Sequence, residues 1–187
     1  NNREIGLLHS RLNIIDLNKR SNQPFYYDDF VLVFNGEIYN FIEVRKSLIK
    51  KKYKFKTTSD TEVLIKSYIE WGEKCVDYFV GMWAFAIWDG KKKKLFLSRD
   101  NFGEKPLYYT ANHNGFYFGS EIKFIKSLSD LSFKVNKDKI NHYLFYGYKS
   151  MYKNKSTFYK NIYLLENATN LTIDLNFKIK KKKYWKP

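Results

Sequence analysis

Short unbroken apolar runs separated by polar breaks set the pattern of this chain. The run Phe30-Val31-Leu32-Val33-Phe34 and the stretch from Gly6 to Leu17 predict buried strands, because runs of that length bounded by polar clusters suit sheet interiors. Ser21-Asn22-Gln23-Pro24 between them is a loop. Asn40 is placed to cap a helix over Phe41 to Lys52, with Glu43 three residues on in capping-box position, and Ser59 with Glu62 repeats the device. That second helix carries Leu64, Tyr68 and Trp71 on one face and stops at Gly72. Gly81 then opens the apolar strand Met82 to Trp88, which Asp89-Gly90 turns toward a partner over Lys94 to Arg99. A second hairpin pairs Leu107 to Thr110 with Phe116 to Ser120 around Asn112-His113-Asn114-Gly115. Helices over Glu121 to Leu128 and near Asp138 to Tyr146, and a strand near Leu171 to Leu175, complete the series. Hairpins alternating with helical blocks predict an α+β layered sandwich rather than a parallel sheet. Lys180 to Pro187 reads as an exit linker.

Composition narrows the class. With 187 residues, 44% hydrophobic and 19% aromatic, the chain is long enough for a real core and for one domain. No stretch approaches the roughly 18 apolar residues of a membrane helix, and the front lacks a signal-peptide layout, so a cytoplasmic protein without a membrane partner is expected. Cys75 is the single cysteine and there are three histidines, which excludes an internal disulfide and leaves no zinc-like cluster; no metal is expected. Beside Val76 in a helical stretch, Cys75 reads as a small buried hydrophobe. The net charge of +15 suggests a phosphate-binding surface, but the lysines fall in scattered runs. Asn, Ile, Phe and Tyr are also abundant and share A/T-rich codons, so base composition accounts for the basicity and no nucleic-acid partner is expected. Asn1 is not an initiator methionine, and the chain reads as a fragment at its front.

Three places carry candidate chemistry. Asn35-Gly36-Glu37 follows a buried strand, where a side-chain amide and a backbone N–H can aim at one point as in an oxyanion hole; an ordinary Asn-Gly turn is the simpler account of the tripeptide alone. Arg11 sits among apolar neighbours and needs an acidic partner, either a bound carboxylate or an internal ion pair. Asp60 at a helix start serves either the helix N–H groups or a ligand ammonium.

Taken in order, six segments resemble the class II glutamine amidotransferase domain of glutamine-hydrolysing asparagine synthetases. They are His9-Ser10-Arg11-Leu12-Asn13-Ile14-Ile15-Asp16-Leu17, Phe34 to Asn40, Ser59-Asp60-Thr61-Glu62-Val63, Gly81 to Asp89, Arg99 to Tyr109 and Ser120 to Lys123. The resemblance implies an Ntn-hydrolase-like fold, a four-layer αββα sandwich of mostly antiparallel sheets, over residues 1–179, with 180–187 beginning a linker to a synthetase domain. It implies that Arg11 holds the glutamine α-carboxylate, that Leu12, Asn13, Ile14 and Ile15 line the pocket, and that Glu37 and Asp60 take the α-amino end. Asn35 and the Gly36 N–H would stabilise the oxyanion. The family nucleophile is an N-terminal cysteine upstream of Arg11, absent here, so the fragment itself is expected to be inactive. No cofactor is implied for this domain; ATP and Mg, with aspartate as acceptor, belong to the synthetase domain, and a homodimer is left open. A glutamine-binding regulatory module, or an amidotransferase with another acceptor, remains the alternative. Two positions depart from the family pattern: Glu104 stands where an apolar residue is usual, and Leu165-Glu166-Asn167-Ala168 replaces a proline-and-glycine turn.

Overall fold

The computed structural model describes residues 4–10, 15–113, 115–129, 131–148 and 156–186. In chain order its elements are β1 (Phe25–Tyr27), β2 (Phe30–Ile38), α1 (Phe41–Lys50), α2 (Asp60–Trp71), β3 (Gly81–Asp89) and β4 (Lys94–Arg99). There follow β5 (Tyr108–Ala111), β6 (Phe116–Gly119), α3 (Ile122–Ser129), α4 (Lys137–Tyr146), β7 (Tyr163–Leu164), β8 (Thr169–Asp174) and β9 (Ile179–Lys183). Short 3-10 helices span Lys19–Ser21 and Gly72–Tyr78.

Asn1–Lys105 and Ala168–Pro187 form one unit, Pro106–Asn167 the other. The first is built on an antiparallel sheet in the order β1-β2-β3-β4-β8-β9. β2 and β3 pair along their whole lengths, from Phe30↔Asp89 to Ile38↔Gly81. Alternation along these strands sends Phe30, Leu32, Phe34, Ile38, Trp83, Phe85, Ile87 and Phe96 into one cluster with Val63, Leu64 and Tyr68 of α2 and Val44 and Leu48 of α1. Removing a ring from such a core costs roughly 3–5 kcal/mol, which is what holds α2 on the sheet. With α1 on one side and the strands on another, α2 is buried at every position from Asp60 to Tyr68. Leu64 and Tyr68 occupy the core as their spacing predicts; Trp71 is only partly buried and stacks on Tyr78 with ring centres 4.1 Å apart.

The second unit carries the sheet β6-β5-β7, with α3 packed on β5 and β6 through the fully buried Ile125. Asn136 caps α4 by accepting the Lys139 N–H at 3.3 Å, and Gly147 closes the helix at φ 69°.

Several expectations change. Residues 4–10, expected within a buried strand over 6–17, form no ladder, and Leu8 is 74% exposed. Asn40 does not cap α1. Its amide instead donates to the Tyr78 carbonyl at 3.0 Å and accepts the Val80 N–H at 2.9 Å, pinning the approach to β3. The Asp89-Gly90 turn is longer than a two-residue hairpin, with Lys93 at φ 48° before β4 begins. The linker expected from Lys180 begins inside β9, which pairs with β8 from Ile173↔Ile179 to Thr169↔Lys183. Its lysines blunt a sheet edge, a common protection against strand addition.

The two departures from the family pattern also find their physical setting. Glu104 is exposed, so its charge stays solvated, while its N–H donates to Asp100 at 2.9 Å. Ala168, fully buried, holds φ 51°, a conformation that glycine takes without cost.

Candidate active site

The polar end of β2 lies beside the start of α2. Since Phe34 and Ile38 face the core, alternation puts Asn35 and Glu37 on the opposite face. Gly36 between them, at φ 149°, pairs with Trp83; a Cβ there would lie 2.1 Å from the Met82 carbonyl oxygen and 2.8 Å from the Trp83 Cα. Any side chain would push β2 and β3 apart, so glycine keeps this backbone in place. Gly81 does the same from the opposing strand, where a Cβ would meet the Glu37 carbonyl at 2.1 Å. The strand is steadied further by the Phe34 N–H, which donates to the Gln23 side-chain oxygen at 2.5 Å, and by His9, whose Nε2 lies 3.0 Å from the Phe34 carbonyl.

Ser59 caps α2 by accepting the Thr61 N–H at 3.1 Å. Asp60, the first helical residue, is 5% exposed and accepts the Ile38 N–H at 3.2 Å, so its carboxylate touches the end of β2. Burial pushes the Asp60 carboxyl above its usual range; the Ile38 N–H and the Ser59 hydroxyl pull it down, and the Glu37 carboxylate pushes it up again. Among the described residues neither Asp60 nor Glu37 has a salt-bridge partner. Two carboxylates facing one region without a cation are suited to an ammonium ligand.

The residues just before α2 are held from several directions. Glu62 does not reach back to the cap in capping-box fashion; it accepts the N–H groups of Lys56 at 3.0 Å and Thr57 at 2.6 Å, and pairs with Lys66 at 2.6 Å. Lys66 also donates to the Lys54 carbonyl and lies over the rings of Tyr27 and Phe55 at 4.8 and 4.5 Å. Arg45 donates to the Thr57 carbonyl while stacking on Phe55 at 4.4 Å.

Of the residues expected at a glutamine site, Asn35, Gly36, Glu37 and Asp60 come together at the β2 end, and Ile15 is half-buried. Arg11, Leu12, Asn13 and Ile14 lie outside the described residues. Cys75 is fully buried in the 3-10 helix, where loss of solvent pushes its thiol far above the usual range, leaving it inert. Sequence reasoning passed over Gln23 and the supporting role of Gly81. It also passed over Asp100, which is fully buried and accepts N–H groups from Trp83, Phe102, Glu104 and Lys105. Neighbouring Arg99 donates to the carbonyls of Gly103 and Lys105, so this Arg-Asp pair shapes the turn leaving β4. A buried strand followed by Asp-Asn-Phe-Gly was the available signal for that turn. Among the described residues no group of three or more His, Cys, Asp or Glu could hold a metal, and no helix is long and apolar enough to cross a membrane.

Comparison with known proteins bears directly on this geometry. A sequence profile described as glutamine amidotransferase domain matches residues 1–185. The chain belongs to the glutamine amidotransferase family. Asparagine synthetase [glutamine-hydrolyzing] 1 of Bacillus subtilis is 36% identical over 98% of this chain and 29% of its own length. Asparagine synthetase [glutamine-hydrolyzing] 3 of the same organism is 44% identical over 69% of this chain and 22% of its own. A Methanocaldococcus jannaschii relative carrying the glutamine-hydrolyzing asparagine synthetase name is 39% identical, covering 98% of this chain and 38% of that protein. The amidotransferase chain thus spans well under half of the relatives it matches. Among solved structures, the glutamine phosphoribosylpyrophosphate amidotransferase of B. subtilis superposes with a TM-score of 0.67 at 17% identity, over 95% of this chain and 34% of that one. At that identity the likeness shows the shared α+β amidotransferase fold.

Proposed function

We propose that this amidotransferase domain serves a glutamine-hydrolysing asparagine synthase, releasing ammonia from glutamine for the ATP-dependent amidation of aspartate. The observation that carries the reading is the pair of carboxylates without a salt-bridge partner among the described residues, Glu37 and buried Asp60, beside the Asn35-Gly36 amides. They suit the α-ammonium of a zwitterion whose α-carboxylate Arg11 would grip, with Leu12 to Ile15 lining the pocket. The Asn35 side chain and the Gly36 N–H would then stabilise the oxyanion formed at the side-chain amide carbon.

The nucleophile in this reading is an N-terminal cysteine outside these 187 residues. Its α-amino group, with an ordinary pKa of about 7.7–8.0, takes the thiol proton as sulfur bonds to the amide carbon. The C–N bond then breaks, ammonia leaves with that proton, and water hydrolyses the thioester to glutamate. ATP and Mg act in a synthetase domain beyond this chain, and the cytoplasm and a homodimer belong to the same proposal.

The test compares glutamine-driven with ammonia-driven product formation by the full-length protein, offered aspartate and a panel of other carboxylates. Arg11→Ala should raise the glutamine KM by ~10–100-fold and spare ammonia-driven synthesis. The glutaminase reading fails if Arg11→Ala damages both activities equally. The acceptor assignment fails if aspartate is not amidated. The 187-residue chain alone should release no ammonia from glutamine.

A further inference from the structure

The outer edge of β2 passes from a strand to side chains partway along its length. Tyr39 donates to the Val80 carbonyl at 2.7 Å in the register that continues β2 onto β3. By the alternation of an antiparallel ladder, odd-numbered residues of β2 therefore turn their backbone groups toward β3, and even-numbered ones turn them away. On the outer edge β1 takes Phe30 and Leu32, through the pairs Tyr27↔Phe30 and Phe25↔Leu32, and then stops. Phe34, Gly36 and Ile38 carry the edge onward. The Phe34 N–H donates to the Gln23 side-chain oxygen at 2.5 Å, and the His9 Nε2 lies 3.0 Å from the Phe34 carbonyl oxygen. The Ile38 N–H donates to Asp60 at 3.2 Å. Gly36 lies midway, with no side chain to cover it, and its N–H has no partner among the described residues.

Side chains thus close the edge on both sides of Gly36. Phe34 and Ile38 stand about 13 Å apart at about 3.3 Å per residue, with one open donor at the centre. A strand laid along this edge would find the Phe34 and Ile38 N–H groups already bound, whereas a single acceptor atom of a small ligand meets a donor in a fixed place. We propose that Gln23 is a positioning residue for the oxyanion donor: it stands in for β1 beyond the last pair of that strand and fixes the backbone that presents the Gly36 N–H. The inference rests on the reading above, in which that N–H stabilises the oxyanion. In the register of β1, residue 23 falls opposite Phe34, where a continuing strand would offer its backbone carbonyl; the Gln23 side-chain oxygen supplies the same acceptor. Residue 21 would then fall opposite Gly36 and take its N–H. Ser21 instead lies in the 3-10 helix Lys19–Ser21, its own N–H on the Asn18 carbonyl at 3.0 Å. One side-chain bond therefore holds β2 while the main chain turns off and leaves Gly36 open.

The experiment is steady-state kinetics of Gln23→Met in the full-length protein, a change that keeps side-chain length and removes the acceptor. The expected result is a kcat for glutamine hydrolysis lowered by ~10-fold, less than the ~100–1000-fold of losing an oxyanion donor outright. The glutamine KM should stay within ~2-fold, with ammonia-driven synthesis retained. Gln23→Glu, which keeps an oxygen for the Phe34 N–H, should restore kcat to within ~3-fold of wild type. Amide hydrogen exchange in the unliganded wild type keeps the idea testable if Gln23→Met folds poorly: Phe34 and Ile38 should exchange at least ~10-fold more slowly than Gly36. Equal protection at all three overturns the open donor and the inference with it. So does a raised KM at unchanged kcat, which would make Gln23 a binding residue. Equal loss of glutamine-driven and ammonia-driven activity overturns it as well, by making Gln23 a fold residue. An unchanged kcat in Gln23→Met overturns the Gln23 inference alone, provided the wild type hydrolyses glutamine; if the wild type consumes none, the proposed function fails first.

Discussion

Two corners of α2 bury a carboxylate two residues apart and treat it in opposite ways. At the Asp60 corner the charge meets the backbone N–H groups of Ile38 and Thr61 and a neighbouring hydroxyl, with Glu37 adding repulsion, and burial drives the carboxyl upward. At the Glu62 corner burial pushes the same way, but the Lys66 ammonium and the Lys56 and Thr57 donors outweigh it and leave the carboxyl below its usual value. A buried acid with its cation supplied by the fold maintains structure; one that, like Asp60, has no cation partner among the described residues is suited to receive it from a ligand.

The contrast breaks most severely at Glu62. Glu62→Ala strands the Lys66 ammonium among Tyr27 and Phe55, and urea unfolding should show a loss of about 3–5 kcal/mol. The pH dependence has a defined sign: a lowered folded pKa gives stability that is complete above the ordinary Glu value of 4.5 and is lost as pH falls through the folded value. In Glu62→Ala that part of the acid sensitivity should vanish.

Asp60→Asn sharpens the other side. Asn retains an acceptor for the Ile38 N–H while removing the charge, so the unliganded domain should melt at the same temperature or higher, and the full-length protein should lose ~10-fold or more in glutamine affinity. A fall in melting temperature without loss of affinity would make Asp60 structural, like Glu62. For wild-type Asp60 the pH effect runs opposite to that of Glu62: its penalty is complete above the raised folded pKa and is relieved as pH falls through it.

Ala168 is a third buried site under strain, with no charge involved. At φ 51°, Ala168→Gly relieves a left-handed backbone costing about 1–2 kcal/mol, partly offset by greater freedom of the unfolded chain. Calorimetry should register a net gain of about 0.5–1 kcal/mol with glutamine use unaltered.

Much of the architecture was readable along the chain because its signals are local. Apolar runs ended by Asp-Gly or by Asn-rich turns marked β2, β3, β4 and the β5–β6 hairpin, while Ser59 and Gly72 bracketed α2. Failures fell where a distant segment competes for a side chain. Asn40 suits a cap but binds the backbone at Tyr78 and Val80; Glu62 suits a capping box but holds Lys66 and the loop before the helix. Residues 4–10 have strand composition and no ladder, whereas the lysines of β9 look like linker and pair with β8. In each case backbone hydrogen-bond partners are set by proximity in space, which residue type alone does not encode.

From sequence alone came the alternation of strands and helices, the family pattern, and the candidate groups proposed to hold a zwitterion and an oxyanion. The tertiary structure decided how those groups are supported. Asp60 reaches the Ile38 N–H, Gly36 and Gly81 let β2 and β3 close upon each other, and Asp16 binds the Thr58 N–H from forty-two residues away. Such contacts depend on where the chain returns after packing its core, and the lost solvation that separates Asp60 from Glu62 exists only once that core has closed.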